Sequence, residues 1–339
     1  MKFGVFDHLD ASGAPLGEFY ENRLRLAEAY DRIGIHALHV AEHHATPLGL
    51  SPSPSVFLAA VAQRTRRLRF GPLVYTLALY HPLRLADEIC MLDQMSVGRF
   101  ELGVGRGVSP IEIEHFGFDP AKSQAMYLEA YHVILQAMHG GTLKFSGEYY
   151  RFKDVPVQLR PLQRPHPPIW YGIANPESAE FAAENRFNIV ANAAPAAVRV
   201  ITDRYRAHWA RKGNAAARLP FLGMTRHVVI ADSDAEAMRL ARRAYARWWE
   251  SFNYLWALHG RKPPFTTYTG DFDAVLANGQ AIVGSPDTVR ETIAAQAKAA
   301  GLNYFLLRFA FGDLSLAESM RSVDLFASRV QPALEEVPA

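Results

Sequence analysis

Short apolar runs alternate along this chain with stretches whose apolar residues recur at helical spacing. KFGVFDH (2–8), ALHVAE (37–42), LRFGPLVYT (68–76) and RFELGVG (99–105) predict four strands. PIWYGIA (168–174), NIVAN (188–192), TRHVVIA (225–231) and NYFLLRF (303–309) predict four more. Between the first two, EFYENRLRLAEAYDRI (18–33) sets Leu24, Ala27, Tyr30 and Ile33 near one helical face and stops at Gly34. Ser53 as N-cap and Pro54 at the first position open a helix over 53–65, and HPLRLADEICMLDQMS (81–96) makes a third. Further helices are predicted over 121–138, from Pro176, and over 234–250, 286–299 and 314–330.

The strand runs are almost continuously apolar, as in a parallel sheet covered on both faces. Eight strands separated by helices, with no shift in composition along the chain, predict one α/β domain over 1–339, a (β/α)8 TIM barrel with insertions. Two stretches break the rhythm. TLKFSGEYYRF (142–152) reads as a hairpin about Ser146-Gly147, an insertion near 140–155 that leads to the Pro-rich connector 161–168. Residues 252–280 read as an irregular aromatic excursion with Phe252, Tyr254, Trp256, Phe265, Tyr268 and Phe272, in character a lid.

Composition narrows the classes. The chain is 339 residues long and 49% hydrophobic, enough for a large core. Its 36 basic and 34 acidic residues leave a formal charge of +2, too balanced to advertise a nucleic-acid face. The lone cysteine, Cys90, excludes an internal disulfide and fits a reducing compartment. Beside Ile89 and Leu92 it reads as a buried apolar residue rather than a nucleophile. MKFGVFDHLD lacks the features of a signal peptide, and no apolar run approaches the ~18 residues of a membrane span. The expected setting is the cytoplasm, with no membrane or nucleic-acid partner.

Barrel chemistry sits at the C-terminal ends of the strands. Those ends carry Asp7-His8, Glu42-His43-His44, Tyr75-Thr76, Gly105-Arg106-Gly107, Ala174-Asn175 and Arg308. Neighbours in a strand point to opposite faces, so His43 and His44 do not share one metal while strand geometry lasts. One imidazole is then free for proton transfer near neutral pH, or both simply finish a strand. A metal-dependent hydrolase built on Asp7, His8, His43 and His44 stays open as an alternative. ELGVGRGVSP (101–110) can offer backbone N–H groups and the Arg106 fork to a phosphate, or be a tight turn with an exposed arginine. Its third glycine comes too early for a dinucleotide fingerprint. Asn175 and Ser178 can cap a helix from Pro176, either as an anion site or as an ordinary N-cap. Trp248 and Trp249 feed the aromatic excursion; core packing is the plain alternative.

LDQMSVGRFELGVGRG (92–107) and AEHHATPLGL (41–50) resemble the bacterial luciferase-like flavin monooxygenases. So do TLALYHPLRLAD (76–87), PIWYGIANPESAEFAAE (168–184), RWWESF (247–252) and VGSPDTV (283–289), nearly end to end and in family order. The resemblance implies a barrel that binds reduced FMN (FMNH2) at its mouth, supplied by a separate flavin reductase. O2 would then give a C4a-peroxyflavin that oxygenates a small organic substrate. By position it makes His43 the catalytic acid–base beside the flavin, Arg106 the phosphate arginine, and Asn175 and Ser178 phosphate-binding. It places Trp248 near the isoalloxazine and Leu73-Val74 at a strand bulge that often holds a non-prolyl cis peptide. Glu42, Tyr75 and Ala174 complete the expected cofactor-binding set, and no metal is implied. Gln124 stands where luciferases place a second phosphate arginine, so the anion site is either weaker or completed by Arg308 or another residue. Gly105 replaces a luciferase cysteine, which argues against light emission. Within the superfamily, F420-dependent hydride transfer and a non-catalytic flavin-binding relative are the alternatives. A homodimer through helices 53–65 and 81–96 is expected, using Phe57, Leu58, Val61, Cys90 and Met91, residues that also suit the barrel wall.

Overall fold

The computed structural model describes residues 1–263 and 268–335. From the N-terminus, β1 (Lys2–Asp7), α1 (Leu16–Ile33), β2 (Ala37–Val40), α2 (Pro54–Arg64), β3 (Arg69–Pro72), β4 (Tyr75–Thr76), α3 (Pro82–Met95) and β5 (Leu102–Gly105) follow in turn. Short α4 (Pro110–His115) and long α5 (Ser123–His139) lead to the hairpin β6 (Gly141–Ser146) and β7 (Arg151–Val157). Next come β8 (Ile169–Ile173), α6 (Ser178–Glu184), β9 (Asn188–Ala191), α7 (Pro195–Arg211), β10 (Leu222–Ile230) and α8 (Asp234–Leu258). The chain closes with α9 (Phe272–Ala277), β11 (Ala281–Gly284), α10 (Pro286–Ala300), β12 (Tyr304–Arg308), α11 (Leu316–Leu325) and α12 (Gln331–Glu335).

The strands run in the order β3-β2-β1-β12-β10-β9-β8-β5-β4, all pairings on this path parallel. Because β3 and β4 are consecutive pieces of one strand position, the ends of the path meet. Phe70 bridges Phe100, and Tyr75 and Thr76 pair with Val104 and Gly105. The result is a nearly closed TIM barrel. Alternation sorts its side chains. On β12, Phe305 and Leu307 join the core under the helices, while Tyr304 and Leu306 pack inward with Phe6, Ala41, Trp170 and Val190. β10 pairs with β9 and β12 at its start and with β11 through His227–Ile230 at its end.

Local signals explain several boundaries. α1 stops where Gly34 takes φ 80° and its N–H bonds the carbonyls of Tyr30 and Asp31. Pro54 does open α2, but the Ser53 side chain makes no cap bond. The hairpin is present, its turn held by Glu129, whose carboxylate accepts from the N–H groups of Glu148, Tyr149 and Tyr150. Cys90 is 2% exposed, and burial pushes its thiol up to about 12. Among the described residues, no helix is long and apolar enough to cross a membrane.

The structure departs from expectation in four places. The run 68–76 is not the one strand its pattern predicts: it breaks at Leu73-Val74, whose peptide bond is cis, as the resemblance implies for that bulge. α7 and β11 were not anticipated. The stretch from 252 is not irregular at first, since α8 continues to Leu258 and puts Phe252, Leu255 and Trp256 on its regular face; α9 carries Phe272. Phe265 lies outside the described residues. Finally, Phe57, Leu58, Val61 and Cys90 are buried in the barrel wall, and of the residues expected at a dimer interface only Met91 is exposed.

Candidate active site

β2 ends at Val40, so Glu42, His43 and His44 lie on the loop beyond it. Each still finds its own partner. The Glu42 carboxylate is buried; it accepts from the Tyr80 hydroxyl at 2.7 Å and the Thr76 N–H at 3.3 Å, and lies 3.2 Å from His44 Nε2. His43 Nδ1 lies 3.0 Å from Glu112 Oε1, and the His44 N–H donates to Glu112 Oε2 at 2.9 Å. One carboxylate thus holds both the imidazole and the backbone of the loop.

Glu112 comes from α4, after β5. Ser109 caps that helix by accepting from the Glu112 N–H. Its neighbour Ile111 is fully buried against Leu255 and Trp256 of α8, in a small cluster apart from the main core. Burial opposes charge on both partners, but attraction wins. For His43, burial alone would lower the pKa, yet the Glu112 charge and hydrogen bond leave it raised. For Glu112, burial would raise it, yet His43 and the His44 N–H leave it lowered.

Aromatic rings continue inward from His43. His8 stacks on it at 5.9 Å between centroids, and Trp248 lies 5.7 Å from His8. Trp248 is fully buried, with His227 at 4.5 Å, Phe252 at 4.9 Å and Tyr268 at 4.9 Å, and its indole N–H has no partner. Burial, then the Arg308 charge, pushes the pKa of His8 well down, so it is neutral. A narrow cavity of about 30 Å³ runs between His43, Glu112, Phe252, Leu255 and Trp256.

The opposite wall is open. Gly172 lies on the inward alternation of β8, two residues above Trp170, yet a Cβ built on it meets nothing within 4 Å. The rim beyond it holds exposed Ala174 and Asn175 and half-buried Ser178. Neither Asn175 nor Ser178 caps a helix: α6 begins at Ser178 itself and has no side-chain cap, so both side chains stay available. Arg106 is exposed and pairs with no described residue. Leu73 packs on the inner cluster, and Val74 fills the space beside Gly105, where a Cβ would lie 2.5 Å from its Cγ2. A cysteine at 105 therefore has no room here. The Tyr75 hydroxyl turns into the wall, 2.7 Å from Ser55 Oγ, so its side chain does not face the mouth. Gln124 is exposed on α5, and Arg308 does not complete its site: it is buried on β12 beside Thr225 and His227.

Among the described residues, no three His, Cys, Asp or Glu side chains converge to hold a metal ion. Asp7 accepts from the Leu9 N–H at 2.7 Å and faces Arg23 at 3.6 Å.

The model of the luciferase-like monooxygenase family matches residues 1–304. The chain belongs to the luciferase-like monooxygenases. This monooxygenase is 46% identical to the uncharacterized protein y4wF of Sinorhizobium fredii, over 94% of the chain and 93% of that relative. Its fold superposes on the crystal structure of monooxygenase RslO1 from Streptomyces bottropensis with TM-score 0.87 and 30% identity, over 98% of this chain and 100% of that one. It also matches, in fold, the oxygenating constituent of 3,6-diketocamphane monooxygenase from Pseudomonas putida, solved with FMN (TM-score 0.81, 23% identity, 98% of both chains). The luciferase-like chain is thus an enzyme of a monooxygenase family.

Glu112 was absent from the expected site. Ser109-x-x-Glu112 has the spacing of a capping box, which marks a helix start but not the histidine it serves.

Proposed function

We propose that the protein is the oxygenase of a two-component system, taking reduced FMN from a separate reductase and using O2 to oxygenate a small organic substrate. The observation that carries this reading is the open inward wall at Gly172, with the unpaired Arg106 at its rim. The fold match to an FMN complex supports the choice of FMN, and that relative's being the oxygenating constituent of its monooxygenase supports a separate reductase.

On this reading, Arg106 with Asn175 and Ser178 would hold the phosphate, and Ala174, Leu73, Val74 and Glu42 would border the ring, with Trp248 across from it. Tyr75 would contribute backbone alone, since its hydroxyl is engaged with Ser55. The reduced flavin supplies the electrons that activate O2. His43 then serves as the acid–base: Glu112 holds Nδ1, which leaves Nε2 to give or take a proton in the mouth. Trp248, Phe252, Leu255 and Trp256 keep water away. A homodimer would use the α2–α3 face, where Val56, Met91 and Met95 are exposed. The proposed setting is cytoplasmic.

Titration with FMN, reduced FMN and F420 under anaerobic conditions tests the reading. Arg106→Ala should weaken FMN binding roughly ten- to a hundredfold, the worth of about 1.5–3 kcal/mol for hydrogen bonds to a charged group. Equal affinity in the variant refutes the phosphate assignment. Preference for F420 refutes the choice of flavin, and FMN retention without any O2-dependent product refutes the oxygenase.

A further inference from the structure

Two arginines lie inside this barrel wall without a carboxylate to meet them. Arg226 is 0% exposed and Arg308 is 4% exposed. The alternation that points Tyr304 and Leu306 inward also points Arg308 inward, one layer nearer the mouth. There its Nε donates to Thr225 Oγ1 at 3.1 Å, and its Nη1 lies 3.4 Å from His227 Nε2. Burial and the two arginines hold His227 neutral. Nη2 of Arg308 bonds no described residue. The guanidinium carbon lies over two rings, 4.9 Å from the centroid of Phe6 and 5.6 Å from that of Tyr268.

Arg226 spends its donors on neutral groups: Gln296 Oε1, Gln280 Oε1 and the carbonyls of Thr225 and Ala193. Neither arginine forms an ion pair with any described residue. Asp7, whose charge is felt at Arg308, already serves Arg23 and the Leu9 N–H. Around the same spot, Asn192 donates to the Tyr268 hydroxyl at 2.7 Å while its own Oδ1 has no partner.

A buried cation is costly unless an opposite charge joins it. A bidentate guanidinium suits a carboxylate in particular. The phosphate of the proposed cofactor does not fill the role. β12 and β5 lie diametrically opposite in the ring: β10, β9 and β8 separate them one way, and β1, β2 and the β3/β4 position the other. The strands that lead to Arg106 and Arg308 therefore stand on opposite sides of the ring, and one phosphate held at Arg106 leaves Arg308 without its counter-charge. We infer that Arg308 anchors a carboxylate carried by the organic substrate, so that the substrate class is a small organic acid. The assignment rests on the oxygenase reading only in calling that acid the substrate; the site itself stands on Arg308.

The test uses the full chain loaded with FMN. Acetate, hexanoate and benzoate are each compared with their methyl esters, by quenching of tryptophan emission and by thermal shift. At least one carboxylate should bind tenfold or more tightly than its ester. Arg308→Gln should erase that preference, and Arg308→Lys should retain part of it. FMN affinity, measured separately, should change less than twofold in both variants; circular dichroism confirms that they fold. If no carboxylate outperforms its ester, or if the folded glutamine variant keeps the preference, the assignment is overturned. Loss of FMN binding by the wild type would instead sink the oxygenase reading and leave the carboxylate result to be read on its own.

Discussion

Removing the Glu112 charge should uncouple the loop that holds His43. Both side chains are well buried, at 15% and 11% exposure, so solvent screens their contact little. A hydrogen bond to a charged group is worth about 1.5–3 kcal/mol. Glu112→Gln keeps an acceptor for the His44 N–H but loses the charge, so it should cost about 1–2 kcal/mol. Glu112→Ala also orphans the His44 N–H and should cost about 3–4 kcal/mol. Urea denaturation of wild type, Glu112→Gln, His43→Ala and the double variant gives the coupling directly.

Its pH dependence has a definite sign. The raised pKa of His43 means its share is fully present below the ordinary 6.5 and is lost as pH rises through the folded value. The lowered pKa of Glu112 means its share is present above the ordinary 4.5 and is lost as pH falls through the folded value. The coupling should therefore be largest between 4.5 and 6.5 and shrink on either side. A coupling below about 0.5 kcal/mol at pH 6, or one unchanged at pH 9, would refute the ion-pair account.

Gly172→Ala should stabilise the fold by about 0.5–1 kcal/mol, because glycine is poor in a strand and the added methyl meets open space. The same methyl enters the proposed flavin wall, so FMN affinity should fall; higher thermal stability with undiminished FMN binding would move the ring elsewhere. Burial raises the Asp10 carboxyl to about 7 while its Oδ2 accepts from the Gly312 N–H. Stability should consequently fall as pH rises from the ordinary 3.8 towards 7 and level off above, and Asp10→Asn should flatten that slope. Parallel slopes in urea titrations of the two proteins would count against the assignment.

Much of the barrel was legible because its strands are short apolar runs between helices with ordinary caps. The break in the third strand was not, since Leu73 and Val74 are as apolar as their neighbours; only the family resemblance pointed there. β11 is four residues long, below what periodicity can declare. α7 carries a helical stripe of Val198, Ile201, Tyr205 and Trp209 that went unread among polar residues. In α8, aromatic bulk hid the helical spacing of Trp248, Phe252, Leu255 and Trp256. Strand ends did single out His43, Arg106 and Arg308. Glu112 is 69 positions from His43, and its role depends on one loop folding over another. Nor does any pattern reveal that Arg308 forms no ion pair with a described residue, because a missing contact is a property of the packed interior.

The small apolar knot of Ile111, Leu255 and Trp256 ties the helix of Glu112 to the far end of α8, apart from the main core. Such a knot can loosen without melting the barrel beneath it. A molecule wide enough to wedge α4 away from α8 would drag the carboxylate off the imidazole with the same movement. On the proposed reading, access and proton control would then be geared to one joint: with the joint sprung the imidazole would lose its carboxylate, and it would regain it as the joint shut.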